Sequence, residues 1–137
     1  MNNKYLYIGA FVNNEELYNK CTNIGSRLSK LIDSLHVTFQ FKPEEINELL
    51  FGEELLIKVV GYGADKNNEG LFVEVNTNNP ELKKLIDKVE VPHITLSISE
   101  KGRAVNTRFL SFKAIEPFYI KGLFGGYKYD DTVIVSP

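Results

Sequence analysis

The chain contains two histidines, and each stands two residues before a threonine, with an apolar residue between them. One motif is His36-Val37-Thr38-Phe39 and the other is His93-Ile94-Thr95-Leu96. Residues two apart lie on the same face of a β-strand, so each motif would present an imidazole beside a hydroxyl. Two such pairs facing each other would offer two proton-transfer groups and two hydrogen-bond donors to one small anion.

This combination of groups is suited to phosphodiester chemistry. An imidazole whose pKa is near its ordinary value of about 6.5 takes up or releases a proton at neutral pH. Two imidazoles in one cleft can act as general base and general acid on opposite sides of a phosphorus atom, while threonine hydroxyls donate to its nonbridging oxygens. We therefore predict a catalytic site that needs no metal or cofactor, formed by His36, His93, Thr38 and Thr95.

A zinc site is the alternative use of paired histidines. Catalytic zinc typically has three protein ligands, and no acidic residue lies within either motif. No metal ligands are therefore predicted.

Hydrophobic periodicity predicts the elements that carry these residues. Strands are expected over residues 4–12, 34–41, 54–63, 70–76, 91–99, 112–121 and 127–135. Helices are expected over residues 14–32, 43–51 and 80–88, and a loop with a short helix over residues 101–111. Apolar spacings of three and four place Cys21 on the packed face of the first helix, as a buried residue and not a nucleophile. The glycines of residues 122–126 predict a hairpin turn.

Two strand–helix–strand passages each end in a His-x-Thr strand. This repetition predicts an α+β fold with two lobes related by an approximate two-fold axis, and the motifs meeting in the cleft between the lobes. No segment is rich enough in Gly, Pro or Ser to separate independent domains. We therefore expect a single domain over residues 1–137.

The paired motifs, each on a strand after a strand–helix passage, resemble those of the 2H phosphoesterases. That superfamily includes cyclic phosphodiesterases and RNA-repair enzymes that act on 2′,3′-cyclic phosphate ends, 2′–5′ linkages or related nucleotides. The resemblance implies a bilobal fold with pseudo-two-fold antiparallel sheets and helices on the outside. It also implies a hydrolase with a role in RNA processing, in which His36 and His93 are the acid–base pair and Thr38 and Thr95 hold the phosphate.

A more specific likeness is to the cyclic-phosphodiesterase domain of fungal tRNA ligases and to 2′–5′ RNA ligase-like proteins. Residues 103–110 occupy the place of a Pro-x-x-Ser-Asn-like turn, although the proline is absent and Asn106 precedes Thr107. The likeness implies that this segment lines the mouth of the cleft, and Phe124 and Tyr127 are candidates for base stacking in a turn. The predicted substrate-binding residues are Arg103, Asn106, Arg108, Phe124 and Tyr127.

The charge distribution bears on the ligand. The net charge of −2 disfavours nonspecific binding to long duplex nucleic acid. Residues 1–100 carry a net charge of −5, whereas residues 101–128 carry +5. A positive field beside the second motif would favour an anionic ligand, and a solvated basic face is the equally open interpretation. The basic segment also leaves open a noncatalytic RNA- or nucleotide-binding module, and a 2H enzyme acting on another phosphoester is a third possibility.

Composition limits the setting in which the protein works. Hydrophobic residues make up 43% of the chain and charged residues 25%, as in ordinary globular proteins. No apolar run reaches the roughly 18 residues of a membrane span, and the start of the chain lacks a small-residue cleavage site. The single Cys21 fits a reducing compartment. We expect a cytoplasmic protein that binds an RNA end or a small nucleotide, without a membrane and with no obligate protein partner evident.

Overall fold

Eight strands pair into one antiparallel sheet in the computed structural model, which describes residues 4–137. The strands are β1 (Tyr5–Val12), β2 (Lys30–Leu31), β3 (His36–Phe41), β4 (Glu54–Ala64), β5 (Asn68–Asn76), β6 (His93–Ile98), β7 (Lys113–Lys128) and β8 (Val133–Ile134). Their order across the sheet is β2-β6-β5-β4-β7-β1-β3, and β8 pairs with β7. The predicted α+β class with antiparallel strands is confirmed, but the strands form one continuous sheet and not two. The expectation of no signal peptide concerns in part residues 1–3, which lie outside the described residues.

One short α-helix follows the first strand of each half of the chain, which is β1 in the first half and β5 in the second. Helix α1 spans Asn14–Lys20, and the side chain of Asn13 caps it by accepting from the Glu16 N–H. Helix α2 spans Pro80–Asp87 and is capped in the same way by Asn79. Two 3-10 helices, Glu48–Leu50 and Ala104–Phe109, complete the helical structure of residues 4–137. None of these helices has the length and apolar character needed to cross a membrane.

Apart from the two-residue strands β2 and β8, the two halves of the chain have the same connectivity, and β4 and β7 each pair with strands of the other half. In the first half, β1 leads through α1 to its antiparallel partner β3, and in the second half β5 leads through α2 to its antiparallel partner β6. The next strand of each half then pairs with the first strand of the other half, β4 with β5 and β7 with β1. Strands β4 and β7 also pair with each other at the centre of the sheet. The halves are therefore interlocked.

The residue between histidine and threonine fixes each motif in the core. Val37 and Ile94 are fully buried, and they belong to the same apolar cluster as Leu17 of α1 and Leu82 of α2. Because successive side chains of a strand point to opposite faces, burial of the middle residue directs the flanking histidine and threonine away from this cluster. Helix packing on one face of the strands thus sets the direction of the polar side chains.

The helix predicted over residues 14–32 is wrong beyond Lys20. Gly25 has a φ of 60°, which a right-handed helix cannot accommodate. Past this point the chain is held by polar contacts to the sheet: Arg27 forms a 2.6 Å ion pair with buried Glu69, and the Leu28 N–H donates to Ser97 Oγ at 2.8 Å. Lys30–Leu31 then pair with β6 as a strand. The prediction that Cys21 is buried is confirmed.

The hairpin predicted at residues 122–126 is also wrong, because β7 runs unbroken through all five residues. The glycines here make room for neighbours: a Cβ on Gly122 would lie 2.9 Å from Ile57 Cδ1, and one on Gly126 would collide with the ring of Tyr5. Glycine in this sheet therefore marks close packing and not a change of direction.

The helix predicted over residues 43–51 is reduced to the 3-10 turn at Glu48–Leu50.

Candidate active site

Both His-x-Thr motifs line one cleft with a volume of about 920 Å³. His36 and Thr38 reach it from β3, and His93 and Thr95 from β6. Four strands separate β3 from β6 within the sheet, so the sheet must curve strongly to bring its two ends to one cleft. The four residues predicted from the sequence to form the site therefore share one cavity.

Each motif meets the same residue types on its neighbouring strand. In both cases threonine pairs with glycine and histidine with phenylalanine, and the register shifts just before the glycine. The pairs are Thr38–Gly9, His36–Phe11, Thr95–Gly70 and His93–Phe72. A side chain on either glycine would strike the carbonyl oxygen of the residue between histidine and threonine. Sequence reasoning missed this feature, although the signal is present as a Gly-x-Phe-Val repeat at residues 9–12 and 70–73.

The two imidazoles are fixed in the same tautomer by equivalent backbone contacts. His36 Nδ1 lies 2.7 Å from the carbonyl oxygen of Ser34, and His93 Nδ1 lies 2.7 Å from that of Val91. A carbonyl oxygen only accepts, so Nδ1 carries the hydrogen in both rings. In the neutral rings, Nε2 is then the unprotonated atom that can take a proton from a ligand or a water molecule. The same Nδ1 contacts also stabilise the protonated ring.

Aromatic residues enclose His36. Its ring stacks on Tyr7 at a centroid distance of 4.4 Å and lies 5.6 Å from Phe11, and the Tyr7 hydroxyl is 3.2 Å from its Nδ1. Burial lowers the pKa of His36 to about 4; the bond to the Ser34 carbonyl opposes this shift, and a charge on nearby His93 adds to it. His36 is therefore neutral at pH 7 when no ligand is bound.

His93 has a more polar environment. Burial lowers its pKa, the bond to the Val91 carbonyl opposes that effect, and the positive charge of Arg108 lowers the pKa further. Among residues 4–137, no aromatic ring stacks on it. Arg108 also lies 3.7 Å from Glu90 at the surface, which moderates its charge. The two histidines are thus equivalent in backbone geometry but not in surroundings.

The two threonines also differ. Within the described part of the chain, the Thr38 hydroxyl makes no hydrogen bond to the protein, whereas Thr95 Oγ1 lies 2.8 Å from Thr107 Oγ1 and 3.3 Å from the Ala104 carbonyl oxygen. Asn68 in turn donates to Thr107 Oγ1 at 3.0 Å. Sequence reasoning did not identify Thr107 or Asn68, because only the tertiary structure brings them to the second motif.

The predicted substrate-binding residues divide into two groups. Arg103, Arg108 and Tyr127 line the cleft, and the Tyr127 ring stacks on Tyr7 at 4.9 Å with an interplanar angle of 6°. Asn106 is exposed on its 3-10 helix and does not line the cleft. Phe124 is 1% exposed and belongs to the core, so its predicted position in a turn is wrong; the unbroken strand β7 holds it against other aromatic rings. Substrate binding by the cleft residues stays a prediction.

Only part of the basic segment faces the cleft. Arg103 and Arg108 line it together with Lys88, and the acidic Asp33 and Glu90 line it as well. Lys121 lies elsewhere and forms an exposed 3.2 Å ion pair with Glu54. The positive charge at the cleft therefore comes from fewer residues than the sequence distribution indicates.

Among residues 4–137, no three side chains of His, Cys, Asp or Glu cluster closely enough to hold a metal ion.

No protein-family model matches the chain, and a search of curated proteins finds no match.

Proposed function

We propose that the protein is a phosphodiesterase of the 2H type that hydrolyses a 2′,3′-cyclic phosphate, at an RNA end or on a nucleotide, without a metal or cofactor. One observation carries the proposal: both His-x-Thr motifs line a single cleft, and both imidazoles have Nδ1 bonded to the backbone. The interlocked halves, each with its motif on a corresponding strand, support the 2H-like architecture.

Hydrolysis in this cleft would use the two Nε2 atoms in opposite roles. One imidazole takes a proton from water as the water oxygen attacks phosphorus, and the other, in its protonated form, gives a proton to the leaving ribose oxygen. Both rings have lowered pKa values when the cleft is empty. A bound phosphate anion raises the pKa of a neighbouring imidazole, which supplies the protonated partner when substrate is present.

The other groups of the cleft match the phosphate and the nucleoside. The hydroxyls of Thr38 and Thr95 can donate to the nonbridging oxygens, where charge increases as water attacks. Arg103 and Arg108 can balance the negative charge of a phosphate or of an RNA backbone. Tyr127 offers an aromatic surface of the kind on which a nucleobase stacks.

The decisive experiment measures turnover of adenosine 2′,3′-cyclic phosphate and of an RNA oligonucleotide with a 2′,3′-cyclic phosphate end, in the presence of EDTA. His36→Ala and His93→Ala should each lower kcat by about a hundredfold or more. Gln40→Ala is the matched control, because Gln40 is exposed on the same strand as His36 and does not line the cleft. Full activity in either histidine variant would refute the mechanism.

A noncatalytic RNA- or nucleotide-binding module is the second candidate, and the three basic residues lining the cleft favour it. It is distinguished by binding of the cyclic-phosphate oligonucleotide without hydrolysis, with an affinity that neither histidine substitution changes. Adding a cyclic dinucleotide and an ADP-ribose cyclic phosphate to the substrates tests for another phosphoester.

A further inference from the structure

We infer that Thr107 is a positioning residue, which turns the hydroxyl of Thr95 toward the substrate phosphate through a hydrogen-bond relay that starts at Asn68. The Asn68 amide donates to Thr107 Oγ1 at 3.0 Å, and Thr107 Oγ1 lies 2.8 Å from Thr95 Oγ1. This inference rests on the proposed function and adds a residue outside both His-x-Thr motifs.

The first link fixes the direction of the relay. Asn68 is 2% exposed, and its Nδ2 lies 2.7 Å from the Arg103 carbonyl oxygen and 3.0 Å from Thr107 Oγ1. A carbonyl oxygen can only accept, so the side-chain atom facing Arg103 is the amide nitrogen and not the amide oxygen. The second hydrogen of this nitrogen is directed at Thr107, whose oxygen must accept it.

The second link passes the direction on to Thr95. Thr107 is fully buried, and its side-chain hydrogen-bond contacts within residues 4–137 are Asn68 and Thr95. Having accepted from Asn68, its hydroxyl can place its own hydrogen only on Thr95 Oγ1, 2.8 Å away; otherwise a buried donor stays unsatisfied. Thr95 then accepts from Thr107, and its own hydrogen is free to turn to another acceptor.

The remaining contact of Thr95 is a weak one that a ligand can replace. The Ala104 carbonyl oxygen is 3.3 Å from Thr95 Oγ1, beyond the usual length of a hydroxyl hydrogen bond. A phosphate oxygen in the cleft would be a stronger, charged acceptor for the same hydrogen. In a series of linked hydrogen bonds such as this relay, each donated bond strengthens the next.

Gly70 makes the relay sterically possible. It pairs with Thr95 across β5 and β6, and a Cβ at this position would collide with the methyl group of Thr107. Thr38 pairs with the corresponding Gly9 but makes no hydrogen bond to residues 4–137, so the relay belongs to the second motif. Of the two hydroxyls, that of Thr95 is therefore the one oriented before substrate arrives.

The test is a double-mutant cycle on the cyclic-phosphate substrates. Thr107→Val, which keeps the shape and removes the hydroxyl, should lower kcat about tenfold with little change in KM, and Thr107→Ser should restore kcat. In the Thr95→Val variant, the further substitution Thr107→Val should have no additional effect, since Thr107 acts through Thr95. Additive losses in the double variant, or unchanged kcat in Thr107→Val, would overturn the relay.

A binding measurement separates the relay from the proposed function. If the unmodified protein hydrolyses none of the substrates, the proposed function fails, and the same cycle is measured on the binding of adenosine 2′-phosphate and 3′-phosphate by calorimetry. Coupled losses of affinity support the relay there, and independent losses overturn it. If Thr107→Val does not fold, Thr107→Ala takes its place in the cycle, because it also removes the hydroxyl.

Discussion

At the scale of single residues, His36 and His93 share a tautomer but not an environment. Tyr7 and Phe11 surround His36 with aromatic rings, while His93 lies under the influence of Arg108. Burial and neighbouring charge both disfavour the imidazolium form, so a charge placed on either ring destabilises the empty cleft. The stability of the protein must therefore depend on pH in the range where an unfolded histidine takes up a proton.

We predict that the protein loses stability as the pH falls from about 6.5 toward 4. The pKa of His36 is lowered to about 4 in the folded protein, whereas a histidine in the unfolded chain titrates near 6.5. Between these values the unfolded state binds more protons, so the free energy of unfolding rises with pH across this window and is lost on acidification. The measurement is the Tm of the protein and of His36→Gln at several pH values between 4 and 7.

The variant should lose less Tm over this range, because it lacks the titrating ring. With only two histidines in the chain, NMR titration of the ring protons assigns each pKa directly. A His36 midpoint at or above 6.5 would contradict the expected effect of burial.

At the scale of elements, the sequence predicts strands well where polar and apolar residues alternate over short distances. Strands β3 and β6 and the capped helix α2 follow from such local patterns, and with them the placement of His36 and His93. Local patterns fail where distant contacts decide. The apolar stripe after Lys20 fits a helix, but Gly25 and the ion pair between Arg27 and Glu69 hold the segment in another path.

The candidate site divides along the same line. The histidines and threonines are found from spacing alone, because two residues on one strand face have a fixed relation. Thr107 and Asn68 are separated by 39 positions in the chain, and no periodicity connects them. In the sequence, the glycines of β7 are typical of a turn. Their actual role is not visible there, because the neighbours that require their small size come from other strands.

We predict that Glu69→Gln destabilises the protein by about 3 kcal/mol, because it leaves the Arg27 guanidinium without its charge partner in a largely buried setting. Glu54→Gln is the control: Glu54 forms an exposed ion pair with Lys121 and should cost less than about 1 kcal/mol. Urea denaturation of both variants gives the comparison. Equal costs would mean that the buried pair does not hold residues 21–31 in place.

At the scale of the whole molecule, the pairing of β4 and β7 with strands of the other half makes each half depend on the other. Strand β4 of the first half has both its partners, β5 and β7, in the second half, and β7 pairs with β1 on its other edge. An isolated half would expose long unpaired strand edges and lose much of its core.

We predict that fragments 1–66 and 67–137, divided in the loop between β4 and β5, are unfolded alone and fold when mixed. Circular dichroism and amide NMR spectra of each fragment and of the equimolar mixture test this. A dispersed amide spectrum from either fragment alone would contradict the interdependence of the halves.

The equivalent strand pairing of the two motifs has a consequence for binding direction. The two ester oxygens of a phosphodiester are chemically similar. A cleft with two identical sides would therefore bind a phosphodiester in two opposite orientations. Here the aromatic wall lies at His36, and Arg108 and the buried Thr107 lie at the other motif. Unequal ends of this kind give the cleft a polarity, so the proposed phosphodiester substrate would bind in one orientation only.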